Sequence, residues 1–520
     1  LTLNGPVTFD KTSSLRVRVD PNHNHDSLKV ATPQLVTVTP GAKLIVDVLP
    51  GDYPVAAFAF PALQATNRPH KFDFTDDYAF LKVHVTQTPN HPIWVHVGLD
   101  PAANVASFAR TRNERAVGNA LVNVFATPNP VGDALQSMET TQVPSALDQL
   151  SGVPLTSSFT TRVAESQRFS RSVARRVRVF ANRESPRRQF QEAPTPNPGA
   201  VPRWRRDASF FRSPTNPSPL GQLYWDGSGG DGPGGEANSG WGGWLDGYGV
   251  FGELDSSINA SGYDYKIYGG TGAIDYAFED ALLLGASVGY ARTDIDAYAA
   301  YRAESTGDTA RAALYAAYAN PAIGAYGTVM VSYAWSQFED HRRVHFIPAP
   351  NTAKGRFKGN EFSAYGELGT RAFEFEELSL HPFLGLGYGY FDRGSFTESG
   401  ADPSVTLSVF EQVYQSLNLS AGTTLDQVFE LGPELKLRAE IRARYEYEFL
   451  DTNPRMQAIF LTSQQGFTVE GASTGRNVAL VGATIEFIDA GGLSTFLNYD
   501  ARVNGEFLEN TVSLGILVEF

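Results

Sequence analysis

One stretch limits the folds open to this chain more than any other. In residues 434–449 every second side chain is apolar: Leu435, Leu437, Ala439, Ile441, Ala443, Tyr445, Tyr447 and Phe449. The residues between them are all charged: Glu434, Lys436, Arg438, Glu440, Arg442, Arg444, Glu446 and Glu448. A strand points alternate side chains to opposite faces, so this is a strand with one apolar and one ionic face. It is also far longer than the usual ~5–6 residues. A membrane barrel accounts for both properties, with lipid on one face and an aqueous lumen on the other. The aromatics gather at one end of the apolar face, where an interfacial girdle belongs. On this reading Lys436, Arg438, Glu440, Arg442, Arg444, Glu446 and Glu448 line a pore.

The same period of two recurs from Trp241 onward. Twelve segments carry it, near 240–253, 262–277, 281–294, 306–319, 323–337, 357–373, 378–392, 413–427, 434–449, 475–488, 492–502 and 509–520. An even number suits a single-chain barrel whose ends finish on one side of the membrane. Longer connections at 338–356, 393–412 and 450–474 alternate with short turns. In the last segment Val512, Leu514, Ile516, Val518 and Phe520 share one face. Hydrophobic residues make up 42% of the 520, yet no run approaches the ~18 consecutive apolar residues of a membrane helix.

Before the barrel the pattern changes twice. Residues 1–100 read as short strands punctuated by Pro21-Asn22, Pro40-Gly41 and Pro50-Gly51, a spacing that suits a sandwich or a parallel β-solenoid. Residues 113–182 take a helical period. Ala116, Leu121 and Val122 mark one helix, and Pro144, Leu147 and Leu150 a second that Gly152 closes. A third runs from about Ser157 to Phe180, with Phe159, Val163, Phe169, Val173, Val177 and Phe180 at helical spacing. Arg162, Arg168, Arg171, Arg175, Arg176 and Arg178 occupy its other faces. Pro and Arg, then Gly, dominate 184–238, which reads as linker. The domains expected are therefore 1–112, 113–183, 184–238 and 239–520.

Charge follows this division. Residues 157–220 hold 13 Arg against 4 acids, whereas 240–520 hold 36 acids against 18 Lys and Arg. The net charge of −14 argues against nucleic-acid binding as the role of the whole chain. The absence of cysteine excludes disulfide frameworks, thiolate zinc sites and cysteine nucleophiles. A first residue other than Met reads as a fragment or processed form with its export signal upstream. Asn22-His23-Asn24-His25-Asp26 has two histidines two apart, but a polar turn is the better reading than a metal site. His84 and His96 read as surface residues. Arg203-Trp204-Arg205-Arg206 could touch nucleic acid or anionic lipid headgroups, and in so acidic a chain an electrostatic role on the periplasmic side or in the lumen is the better reading. No G-x-S-x-G, H-E-x-x-H or Walker loop is present, and no cofactor is called for.

Several stretches, in this order, resemble monomeric autotransporters of the type V secretion family. GPVTFDKTSSLRVRVDP, DSLKV and PGAKLIVDVLPGDY resemble the last rungs of a passenger β-solenoid. TRNERAVGNAL resembles the TxNQxAVAxAL element after the passenger, and ALDQLSGVP with ESQRFSRSVARRVR the helical segment before the barrel. GWGGWLDGYG resembles the first barrel strand; GRFKGNEFSAYGELGTR and NTVSLGILVEF resemble later strands and the terminal assembly signal. The Pro- and Arg-rich 183–220 is longer and more basic than the family pattern.

The resemblance implies a mainly β protein: a 12-stranded antiparallel transmembrane barrel, a helical linker acting as plug, and a solenoid passenger remnant with an autochaperone-like cap at 78–112. It implies an outer-membrane translocator that exports and anchors its own passenger, with the residues before the barrel at the cell surface. The helix at 157–182 is the candidate for the pore, its arginines meeting lumen acids such as Glu440, Glu446 and Glu448. The alternative for those arginines is an ordinary solvated helix face. Phe520, Val518 and Ile516 would form the barrel-assembly signal. Partners implied are outer-membrane lipids, the barrel-assembly machinery and periplasmic chaperones, and a surface ligand of the passenger; the chain would be a monomer. Some members cut their own linker with lumen acids and an Asn; Asn182, at the end of the candidate helix, is the candidate for that, a helix cap being the other reading. The chain itself reads as non-enzymatic, with a binding passenger. The main competitor is an enzymatic passenger, a protease or esterase, whose site lies upstream. A diffusion pore and a pair of soluble sandwiches are the remaining readings.

Overall fold

The computed structural model describes residues 1–181, 240–278, 281–298, 302–320, 323–375, 378–463 and 465–519. The linker expected at 184–238, Asn182 and Phe520 lie outside them.

Alternation of apolar and polar residues gives the described part of the barrel twelve long strands: Gly240–Leu254, Tyr263–Phe278, Leu282–Ala297, Ala303–Asn320, Ala325–Arg343, Asn351–Thr370, Leu378–Arg393, Gln412–Gly432, Leu435–Glu448, Asn477–Asp489, Leu493–Val503 and Phe507–Glu519. Each pairs antiparallel with the next, and the first pairs with the twelfth from Gly242–Glu519 to Leu254–Phe507, so the sheet closes on itself. Closure leaves no edge with unpaired N–H and C=O groups, the condition for strands in hydrocarbon. The outer face is apolar: Ile274, Leu314, Val329, Leu368, Ile441, Val481 and Leu514 are all exposed. Trp241, Tyr276 and Phe278 cluster edge-to-face at one rim, and Tyr447 packs on Phe449 toward the other. Inward positions are polar and buried, among them Asp246, Thr271, Ser287, Thr309, Ser332 and Ser363. Among the described residues no helix is long and apolar enough to cross a membrane.

The fifth and sixth strands run on past the wall, to Arg343 and from Asn351, into a stretch read from sequence as a loop. The connections 393–412 and 450–474 are also more ordered than a loop. Phe396–Thr397, Leu407–Val409, Arg455–Phe460 and Gly466–Glu470 form a four-stranded sheet over one mouth of the barrel. Leu407, Val409, Met456, Ala458, Phe460 and Val469 are buried beneath it. They pack in one cluster with Leu147, Leu150, Val153 and Leu155 of the helical segment.

That segment holds Arg112–Ala120, Pro130–Gln136, Val143–Leu150 and the long Ser157–Ala181. The helix at Pro130 was not anticipated, although Asn129 caps it and Pro130 occupies its first turn. The solenoid expected over 1–112 appears as small sheets. Val7–Phe9 pairs parallel with Val36–Val38, and Ser14–Val19 parallel with Lys43–Val48. A third sheet sets Thr2–Leu3, Leu28–Val30 and Phe58–Gln64 in parallel, then adds Ile93–Leu99 and Leu81–Gln87 antiparallel. Each of the first two sheets is thus only two strands deep.

Candidate functional site in the barrel lumen

The helix Ser157–Ala181 contains neither Gly nor Pro, so nothing interrupts it over 25 residues. At ~1.5 Å per residue it spans about 37 Å, enough to cross a hydrocarbon layer of ~30 Å. It enters at the loop-covered mouth, where Gly152 turns the chain with φ +66° and Arg393 of the wall donates to the Leu155 carbonyl at 2.8 Å. Its far end lies beside the twelfth strand at Glu519. The whole helix is inside the barrel, and its apolar and charged residues alike are buried.

Buried arginines require acceptors, and the wall supplies them. Arg176 makes two bonds to Asp275, at 2.6 and 2.8 Å, and a third to Glu519 at 2.7 Å. Arg178 meets Glu367 at 2.8 Å, and Arg168 meets Asp246 at 2.5 Å while lying over the Tyr248 ring. Arg162 donates to the Asp392 and Asn360 carbonyls at 2.7 and 2.6 Å. One pair runs the other way: Arg311 of the fourth strand binds Glu165 of the helix and Glu361 of the sixth strand. Two glycines make room. A Cβ on Gly242 would lie 2.5 Å from Asp275 and 2.6 Å from Arg176, and one on Gly289 would lie 3.3 Å from the Phe169 ring.

The ionic strand read from sequence faces inward, but its acids are engaged elsewhere. Glu440 accepts from Arg442 at 2.8 Å, and Glu446 from Arg444 and Arg502 at 3.0 Å each. Glu448 accepts from the Leu417 amide at 2.8 Å and the Ser416 hydroxyl at 2.6 Å. Arg438 pairs with Glu486 at 2.5 Å, Arg442 also reaches Asp500 at 2.9 Å, and Lys436 is half-buried near the strand's end. The helix arginines are thus met by Asp246, Asp275, Glu367 and Glu519 rather than by Glu440, Glu446 or Glu448. Of the proposed assembly residues, Ile516 is exposed on the outer face, and Val518 pairs with Gly243 and Leu493.

Residues 243–500 match the family model described as the autotransporter β-domain. The chain carries an autotransporter β-domain. Such domains are outer-membrane barrels that transport and anchor rather than catalyse. No curated protein matches the sequence. Solved structures similar to this chain include the translocator domain of the autotransporter NalP from Neisseria meningitidis, at 15% identity, with 54% of this chain and 88% of that one covered and a TM-score of 0.43. The β-domain of the Bordetella autotransporter BrkA follows, at 13% identity, 54% and 100% coverage and 0.41. The transport unit of AIDA-I from Escherichia coli gives 14%, 54% and 90%, and 0.39.

The β-domain holds its helix off-centre. The closest backbone approaches of Ser157–Ala181 are to the second through seventh strands. Cavities of about 60, 30, 30 and 20 Å³ follow one another along the helix, from Thr160 to Val179. At the mouth the segment before the helix is fastened to the loops. Thr111 and Glu114 form a capping box that starts Arg112–Ala120. Asn113, fully buried, donates to the Asn259 and Glu470 carbonyls at 2.6 and 2.7 Å and accepts from the Glu470 amide at 2.9 Å. Its own amide donates to the Asn259 side chain at 2.9 Å. Asn113 lies inside the TRNERAVGNAL element, and its bridge to the barrel leaves no mark in the sequence because its partners are 146 and 357 residues away. The polar stretch at 22–26 is a turn in which Asp20 accepts from the Asn24 amide and side chain at 2.8 Å each.

Proposed function

We propose that this chain is the translocator and surface anchor of its own passenger, with Ser157–Ala181 left in the pore as a plug. The observation that carries this is the helix within the barrel, its buried arginines matched to acids of four different strands. A barrel of twelve strands has an interior wider than side chains alone fill. A helix held by ion pairs closes it without forbidding passage of the chain beforehand. The parallel pairs in residues 1–64 support a further reading, that they are the final coils of a passenger solenoid standing at the cell surface. The antiparallel hairpin Leu81–Leu99 and the helices after it cap that stack over the loop sheet. The passenger binds surface material; an enzymatic passenger with its site upstream is the competing reading. The outward apolar residues ending at Ile516 and Val518 suit recognition by the barrel-assembly machinery, with periplasmic chaperones and outer-membrane lipids as further partners.

The test is single-channel conductance in a planar bilayer. The intact chain is expected to be nearly closed and a variant lacking residues 157–181 to show a large steady pore. Equal conductance of the two would show that this helix is not the seal, and failure of both to insert would overturn the membrane reading.

A further inference from the structure

One part of the lumen carries more positive charge than the wall neutralises. Arg171 comes no closer to a carboxylate than 3.8 Å, at Glu509, and none of its three guanidinium nitrogens has a protein acceptor. Arg175 lies 3.9 Å from Asp246 and 3.2 Å over the Phe496 ring, with its Nη1 also lacking an acceptor. Both side chains are nearly out of solvent, at 11% and 12% exposure. Their nearest acids are already committed. Asp246 holds Arg168 through Oδ2, its Oδ1 having no protein donor, and Glu509 accepts from Arg502 at 3.0 Å and Tyr265 at 2.7 Å.

These two residues line a cavity of about 30 Å³ together with Arg168, Arg178, Arg442 and Arg444. Two acids, Asp246 and Asp500, share the lining. Including the ion-pair partners around it, seven guanidinium groups (these six and Arg502) stand against six carboxylates: Asp246, Asp500, Glu367, Glu440, Glu446 and Glu509. One positive charge is left over. An unpartnered guanidinium in a low-dielectric interior is costly. Arg171 and Arg175 lie one turn apart on the same face of the helix, so one acceptor can serve both.

We propose that this cavity is a binding site for one small monovalent inorganic anion of chloride's size, held between Arg171 and Arg175 of the helix. A space of about two water molecules admits such an ion. The anion joins helix to barrel, so occupancy strengthens retention of the helix.

The test uses the whole chain in detergent and is independent of whether the helix seals the pore. Thermal unfolding is followed in sodium chloride and in sodium gluconate, whose anion is too large to enter, at equal ionic strength so that screening is constant. Chloride is expected to raise Tm by on the order of 2–4 °C and to saturate. Arg171→Gln removes the difference, and Arg171→Lys keeps it. Crystals grown with bromide are expected to show an anomalous peak between Arg171 and Arg175. Equal Tm in both salts overturns the proposal. A bromide peak without any halide dependence of Tm marks an adventitious ion only and overturns it equally. If Arg171→Gln does not fold, the two-salt comparison and the bromide peak on the parent chain still decide.

Discussion

Consider replacing Arg176 by Met. The arginine gives three charge-assisted bonds, two to Asp275 and one to Glu519. Asp275 is fully buried, and its other donor is the Tyr315 hydroxyl at 2.7 Å. Met leaves that carboxylate charged, desolvated and held by a single neutral donor. Breaking a buried pair from one side costs about 3–5 kcal/mol. The cost falls on the state with the helix in the lumen, because a vacated lumen admits water to Asp275. The ratio of closed to open channels therefore drops by roughly a hundred-fold to a few thousand-fold. Adding Asp275→Met removes the stranded charge, and a buried pair replaced by apolar groups of similar volume is often neutral or better. The double variant is thus expected to regain at least half of the lost closure. Open probability in planar bilayers measures the parent, the singles Arg176→Met and Asp275→Met, and the double variant. Two results refute the reasoning: a single variant no leakier than its parent, or a double variant as leaky as the sum of the two singles.

Three further outcomes follow from other parts of the chain. Asn113→Ala strands the Glu470 amide and two carbonyls, about 2–4 kcal/mol for three bonds, and is expected to speed proteolysis between residues 100 and 142 while the barrel stays intact; unchanged cleavage kinetics would show that this clamp holds nothing. Ile441→Arg puts a charge on the outward face and is expected to cost about 2–4 kcal/mol near the midplane, read as reduced folding into vesicles, whereas normal yield would mean that this face does not meet lipid. In the N-terminal turn, bonds from the Asn24 side chain hold the Asp20 carboxyl below its usual 3.8. The stabilisation is complete above about pH 4 and is lost as pH falls through the lowered value. Protection of the Asn24 amide, corrected for intrinsic exchange, should fade over that range and be flat in Asp20→Asn.

The strands were legible because lipid and lumen impose opposite demands on alternate residues. Leu435 to Glu448 displays this without exception, and eight of the eleven other strands match their expected ends to within three residues. The misses have physical causes. Ala325–Arg343 and Asn351–Thr370 continue past the membrane, where no lipid demands alternation, and Asp340 and Arg342 there resemble loop residues. The loop sheet was hidden in short runs such as Leu407–Val409, too brief to separate from a turn without their partners. Pairings across the lumen were the least legible. Asp246 and Asp275 sit among glycines and apolar residues with no charged neighbour to mark them. Which acid meets Arg176 depends on barrel closure and helix rotation, neither of which is a local property.

The seam of the cylinder has a temporal meaning. The first strand, Gly240–Leu254, has the twelfth as one of its two neighbours, so one whole side of it is without partners until Phe507–Glu519 arrives. Every other wall contact joins neighbours along the chain and can form in sequence, while this one waits for the end of the domain. The sheet therefore keeps an exposed edge until that strand arrives, and closes only with it. Whatever occupies its interior afterwards must either be wrapped at that moment or pass through the finished wall's mouth.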